Sequence, residues 1–562
     1  MKIIRIVLLI CLLSTTACTH LPPAHRQPAA EPSVSTAYYH YSLGVQAVLR
    51  GDLDGAIDEY NGALSLDPRS PYLLTEMATL YLRKKNTDEA LSLLKRALTE
   101  DPDYIDAHLL LAGTYSKLKQ YDLAIASYKK VIALDAKKLE AYLFLGLLYR
   151  EQKEYSAAIV ILKDLLKIEG DNLMGNYYLA KIYSDMKSFD EAKIFFKKSL
   201  AIKPSFEPAL TDLAHLYEIS KDDAGAVHYF TSFVKEHPTS ANARLYLGKT
   251  LFRQDRYGEA AEEFLQVLKV DGSQMEARYS LGLAYLFGGG KYQKAIEEFQ
   301  AVLAQFPRDS RSRYFLASAY EKDGQQAQAF ETFKAVPQDS ELYTSARTRM
   351  ALILKGEHRI PEAIDLISKA IAVVGDEADL YGLLASLYDA KGEPGRAEKT
   401  LHEALERFPD NIDLRYKLGI LYEKTNRFTD SVKEMKEILK IDENNAEALN
   451  FIGYGYVDRE IHLDEAEILI KKAVALEPDN GFITDSLGWL YFKTDRLELA
   501  IEYLEKASAM LPEDPTITEH LGDAYRKAGM KEMARRMYLK ALRLGPLKKE
   551  ILRQKIDQLN SD

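Results

Sequence analysis

The stretch Leu487-Gly488-Trp489-Leu490-Tyr491, followed by Ala500, Leu504, Ala507 and Pro512, decides how the rest of this chain is read. Similar residues recur about every 34 positions from near Tyr38 to Pro546. A period of that length marks an all-helical repeat array in which each unit packs on its neighbours. One repeated architecture therefore accounts for almost all of the 562 residues.

Aligned on that period, position 8 of every unit is Gly or Ala, from Gly44, Ala78 and Ala112 through to Gly488 and Gly522. Position 20 is Ala in every unit except one, where Ser431 stands. Small residues at these two places mark the crossing of the two helices of a pair, where a longer side chain would hold the backbones apart. Tyrosine fills position 11 in most units, among them Tyr81, Tyr217, Tyr422 and Tyr491, and at that place it reads as core with its hydroxyl at the rim. Proline at position 32, as in Pro68, Pro238, Pro409 and Pro512, ends the second helix because it has no amide proton to continue one.

These marks resemble the tetratricopeptide repeat (TPR). The resemblance runs from Ala37 to Pro546 and implies an all-α, right-handed superhelical solenoid of about fifteen helix-turn-helix units, closed by a C-terminal capping helix. The expected organisation is a signal segment over 1–17, a lipidated Cys and Pro-rich tether over 18–36, units one to nine over 37–343, units ten to fifteen over 344–548, and the cap over 549–562. Two insertions, Gly288-Gly289-Gly290 and the stretch from Asp458 to Leu463, predict longer turns inside their pairs. Pro337 predicts a second helix that stops early, and the weak pattern from Gln338 to Thr344 leaves two readings: a joint where the array bends, or merely a shortened helix.

The N-terminus has a different character. Lys2 and Arg5 precede an apolar run from Ile6 to Leu13, then Ser14-Thr15-Thr16-Ala17 leads to Cys18. This is an export signal, too short to span a bilayer as a helix. A small residue before Cys is similar to a bacterial lipobox, which implies cleavage before Cys18 and its acylation; the alternative is plain secretion with an incidental thiol. Of the two cysteines, Cys11 would leave with the signal, so the mature chain would carry no free thiol, as suits an oxidising compartment. Thr19 lacks the Asp that retains enteric lipoproteins at the inner membrane, and by that analogy the outer membrane, facing the periplasm, is expected. Pro22, Pro23, Pro28 and Pro32 make the following stretch a tether.

No catalytic constellation assembles. The formal net charge of −10 argues against a nucleic-acid surface. The eleven histidines form no zinc-type pair at helical spacing, so no metal and no cofactor is expected. Leu247-Gly248-Lys249-Thr250 resembles the end of a phosphate-binding loop, but Ala243 replaces its first Gly and no strand precedes it. A binding role fits better. In the TPR family, positions 2, 5, 9 and 12 of the first helices face a concave groove. Position 5 supplies Tyr41, Tyr177, Tyr279, Tyr314 and Tyr416, and position 9 supplies Lys181, His215, Lys249, Tyr454 and Trp489. Such aromatics with polar tips suit protein contact surfaces, although a groove aromatic also serves to shield a helix backbone. Basic residues at positions 12 and 13, including Arg150, Arg253, Lys424 and Lys527, complement the negative ends of the first helices or else form a track for an acidic ligand. The resulting expectation is a non-enzymatic, lipid-anchored scaffold that docks other envelope proteins or peptides, serving pilus or secretion assembly, polysaccharide export or cell-wall synthesis. The rival readings are an accessory protein that binds a glycan or small ligand in the groove, and an architectural spacer.

Overall fold

A computed structural model describes residues 32–375, 377–545 and 549–561. Cys18, the signal segment, most of the tether and Pro546 lie outside the described residues. Among those described are thirty-one α-helices, numbered α1 to α31 in chain order, and no strand. Thirty of them follow one another as pairs, and α31 (Lys549–Ser561) stands at the end. The first helix, α1 (Pro32–Arg50), begins inside the stretch read as a tether. The chain divides into two compact units, residues 1–271 and 272–562, so the boundary falls between α14 (Tyr257–Val270) and α15 (Met275–Phe287).

In the first unit the crossing of each pair follows from the sizes at positions 8, 20 and 24. Ala226 is wholly buried and so is Phe230, one turn later on the same helix. Where position 8 is Gly, a Cβ added there would strike the large residue at position 24: 2.3 Å from Tyr60 at Gly44, 2.7 Å from Leu162 at Gly146 and 2.6 Å from Phe264 at Gly248. Position 11 tyrosines line the same core, Tyr217 with 2% exposure, and cations cover their outer faces, with the Lys193 and Lys197 ammonium groups 5.0 and 5.6 Å from the Tyr217 ring centre.

The second unit repeats this scheme. A Cβ on Gly488 would lie 2.7 Å from Leu504, and one on Gly522 would lie 2.6 Å from Tyr538. Ser431, the exception to Ala at position 20, is fully buried and donates its hydroxyl to the carbonyl of Gly419 at 2.7 Å, so its extra atom is satisfied inside the crossing. Both insertions form the expected longer turns, over 288–291 and 459–462. Pro337 follows a shortened α18 (Gln326–Lys334). There Arg347, on α19 (Tyr343–Gly356), donates to the carbonyls of Phe333, Lys334 and Val336 at 3.1, 3.2 and 3.3 Å, satisfying acceptors that a longer helix would have bonded internally. Phe333, Val336 and Met350 keep the core continuous across this shortened pair.

Where the two helices of a pair meet, the chain turns through a residue in the left-handed region. That residue is Gly51 or Gly529 in some pairs, but Lys85, Lys119, Lys153, Lys187 and Lys221 in five successive pairs, with φ between 53° and 63°. The following amide closes the motif, as Asn86 N–H does on the Tyr81 carbonyl at 2.9 Å. At the C-terminus Leu552 of α31 is fully buried against Tyr538 and Ala541, and Lys555 pairs with Glu519 and Asp523 at 2.7 Å each, which caps the last pair.

Candidate binding cleft

The first helices of successive pairs touch one another, α25 (Ala446–Asp458) against α27 (Gly481–Lys493) and α27 against α29 (Pro515–Lys527). Each starts from a polar cap that fixes its entry: Asn445 accepts from Ala448 N–H, Asn480 from Ile483 N–H, and Asp514 from Ile517 N–H, with Pro515 at the first helical position. With α23 (Ile412–Lys424), capped by Asn411, they form a cleft of about 540 Å³. Its walls come from the repeat positions expected to face a groove: Tyr416, Asn450 and Asp485 at position 5, Tyr454 at position 9, Glu447, Phe482 and Thr516 at position 2, and Glu423 at position 12.

The cleft is acidic and aromatic. Glu423, Glu447, Asp458, Asp485 and Asp514 line it, against one cation, Arg459. That guanidinium is engaged: it donates to Glu423 Oε1 at 2.5 Å and to the Gly455 carbonyl at 3.3 Å, and lies 3.9 Å from the centre of the Phe428 ring. Gly455 is required for this packing, because a Cβ there would sit 2.6 Å from Phe428. Two lining oxygens, Glu423 Oε2 and Asn450 Oδ1, are buried with no hydrogen-bond partner. Burial, then Asp458 and Asp485, push the Tyr454 hydroxyl up to about 12, so it remains a neutral phenol at physiological pH.

Asp485 links the cleft to a buried cluster behind it. Its oxygens lie 3.1 and 3.0 Å from His520 Nδ1. Burial alone would pull the His520 imidazole down, but Asp485, aided by Asp523 and Glu519, outweighs it and holds the ring above its ordinary value. The indole of Trp489 stacks on His520 at 4.0 Å and on Phe492 at 4.7 Å, and its Nε1 is buried without a partner. Trp489 is not among the residues lining the cleft. It holds His520 in place instead.

The other residues expected to face a groove are distributed along both units. Tyr416 and Tyr454 share the cleft. Tyr177 and Lys181 meet on Asp212, at 2.8 and 3.1 Å. Tyr279 and Tyr314 pack against Phe315 at 6.2 and 5.4 Å. The Tyr41 and Tyr72 hydroxyls are hydrogen-bonded to each other. His215 is exposed beside Glu218, and Lys249 lies over the Tyr246 ring at 5.8 Å. Three of the basic residues at positions 12 and 13 bridge neighbouring pairs, Arg150 to Asp185, Arg253 to Asp223 and Lys424 to Asp389, each at 2.7 Å. Those three act as cross-braces. Sequence reasoning missed Glu423, Glu447, Asn450 and Asp485, although their repeat positions were those already assigned to the groove.

The first unit carries a second cleft of about 610 Å³ between α3 (Pro71–Arg83), α5 (Ile105–Lys117) and Phe144. Its walls are largely apolar, with Leu82, Leu109, Leu110, Tyr104 and Tyr128, and the Glu76 carboxyl is raised by burial and by Asp106.

Tetratricopeptide-repeat profiles match residues 47–112, 82–143, 117–182 and 390–452, others match 222–274, 249–289, 281–341 and 486–548, and one matches 176–206. The chain belongs to the tetratricopeptide-repeat family. Over 185 residues, 33% of the chain, it is 30% identical to a TPR repeat-containing protein of Pseudomonas aeruginosa, 31% of which is covered. It is 31% identical over 88 residues, 16% of the chain, to DnaJ homolog subfamily C member 3 of Gallus gallus, 18% of which is covered. The chain thus spans less than a third of the length of either curated relative. Among solved structures it resembles the MamA protein, with 25% identity and a TM-score of 0.28 over 30% of this chain and 93% of that one. TPR arrays are protein-interaction scaffolds, and that general role extends to this chain.

Proposed function

We propose that this TPR protein is a non-enzymatic adaptor that docks envelope proteins on the first-helix face of its repeats, held at the outer membrane by lipid on Cys18 and facing the periplasm. The observation that carries the docking part is the cleft between α23 and α29, where groove-facing repeat positions present exposed aromatic and acidic side chains such as Phe482 and Glu447. Support for the address is the sequence from Lys2 to Cys18. No helix among the described residues is long and apolar enough to cross a membrane.

Crosslinking in cells, with identification of the captured proteins, tests this reading when the native chain is compared with Cys18→Ala. The native chain should fractionate with the outer membrane and capture a defined set of envelope proteins. The variant should leave that fraction and lose those partners. Retention of Cys18→Ala in the outer membrane would sink the anchor, and capture of no protein by the native chain would sink the adaptor.

A further inference from the structure

We infer that the cleft bounded by α23, α25, α27 and α29 binds an extended peptide segment bearing lysine or arginine side chains. The inference rests on the adaptor reading above and names the chemistry of the partner.

Three observations point the same way. First, both lining oxygens that lack a protein partner, Glu423 Oε2 and Asn450 Oδ1, are acceptors, so the wall favours a ligand that donates. Peptide amides, ammonium and guanidinium groups donate; carboxylates and ether oxygens do not. Second, five carboxylates line the space; Glu423 is paired with Arg459 and Asp485 with His520, which leaves Glu447, Asp458 and Asp514 without a cation. An incoming cation therefore meets charge that the protein has not neutralised itself. Third, Tyr416, Phe451, Tyr454 and Phe482 form the walls, and such rings attract guanidinium planes and lysine stems.

The spread of the carboxylates decides between a single cation and a chain of them. They are spread over α23, both ends of α25, α27 and the cap of α29, and among the described residues no three of His, Cys, Asp and Glu stand close enough to hold a metal ion. Matching them takes several separated positive groups on one backbone. Extended peptides present side chains at regular intervals and also supply the amide donors.

The test uses the mature full chain and fluorescence anisotropy with three probes of defined chemistry: a labelled peptide of alternating arginine and glycine, one of alternating glutamate and glycine, and spermine as unlabelled competitor. The arginine peptide should bind, weaken with added salt, and resist displacement by spermine at equal charge concentration; the glutamate peptide should not bind. Charge reversal by Glu447→Lys with Asp458→Lys, both exposed and so harmless to folding, should weaken binding about tenfold or more. Glu498→Lys with Glu502→Lys on α28 (Leu497–Met510) changes net charge equally away from the cleft and should leave binding intact. Equal losses in the two double variants, no loss in the first, or full displacement by spermine would each overturn the inference. Crosslinking separates the two readings: if Glu447→Lys with Asp458→Lys still captures the native set of partners, the adaptor survives and the cleft assignment falls.

Discussion

The two clefts lie on different helix pairs but draw on equivalent faces of their first helices, yet one is walled by Leu82, Leu109 and Leu110 and the other by Glu423, Glu447 and Asp485. Positions 8, 20 and 24 hardly vary in kind between the units, because the crossing of two helices admits only a small residue facing a large one. Positions 2, 5, 9 and 12 face outward and are free of that demand. The scaffold is therefore interchangeable between units and the clefts are not. The walls of the first are largely apolar and those of the second carry five carboxylates.

Truncation at the crossing tests the interchangeable half most strongly. Phe230 and Phe299 occupy position 24 in different units and both are fully buried. Phe230→Ala and Phe299→Ala should each cost about 3–5 kcal/mol, read by denaturant dependence of hydrogen exchange in the affected pair. A large cost in one unit and a negligible cost in the other would break the equivalence. Ala226→Leu overpacks the same crossing and should cost about 1–3 kcal/mol; an unchanged melting curve would contradict the packing described.

The pH response sharpens the difference between units. His520 has a raised value in the folded chain, so its contribution to stability is complete below its ordinary value of 6.5 and is lost as pH rises through the higher folded value. Melting of α27–α30, α30 being Lys531–Leu544, should fall from pH 6 to pH 9, and His520→Gln should remove that dependence. The first unit has no buried His–carboxylate pair like it among its described residues and should show no matching step. If exchange in both units changes alike, the buried His520–Asp485 pair is not the cause. The smallest effect concerns the inter-helix turns: Lys85→Gly should stabilise its pair by about 1 kcal/mol by relieving a left-handed residue, whereas the second unit's Gly529, already glycine at the same place, offers no such gain. No rise in the melting temperature of Lys85→Gly would show that the lysine side chain compensates locally.

The helix pairs, their crossings, both lengthened turns and the cap were legible in the sequence because each depends on residues within one period or its neighbour. Gly44, Ala226 and Pro337 announce themselves by size or by a missing amide. The cleft was not legible in the same way. Periodicity says that Asn450 and Asp485 face the groove side, but which copies of that position converge on one space depends on how successive pairs stack. The partner of Trp489 was hidden for a related reason, since the ring stacked on it, His520, comes from the next pair. The left-handed turns were hidden because lysine is no signal for them; Gly51, Gly324 and Gly529 at the same repeat place were the available hint.

The match between a glycine and the large residue it faces has a bearing on how such a chain changes length over generations. Gly44 meets Tyr60, Gly248 meets Phe264 and Gly522 meets Tyr538, in every case inside a single pair. A duplicated pair thus arrives with its own crossing complete, and a deleted one removes both halves of the match together. The cleft has no such protection. Its residues are drawn from four successive pairs, so inserting or losing one pair between Tyr416 and Thr516 would separate side chains that line one space. Lineages of this protein should differ freely in repeat number outside that span and keep the count fixed within it.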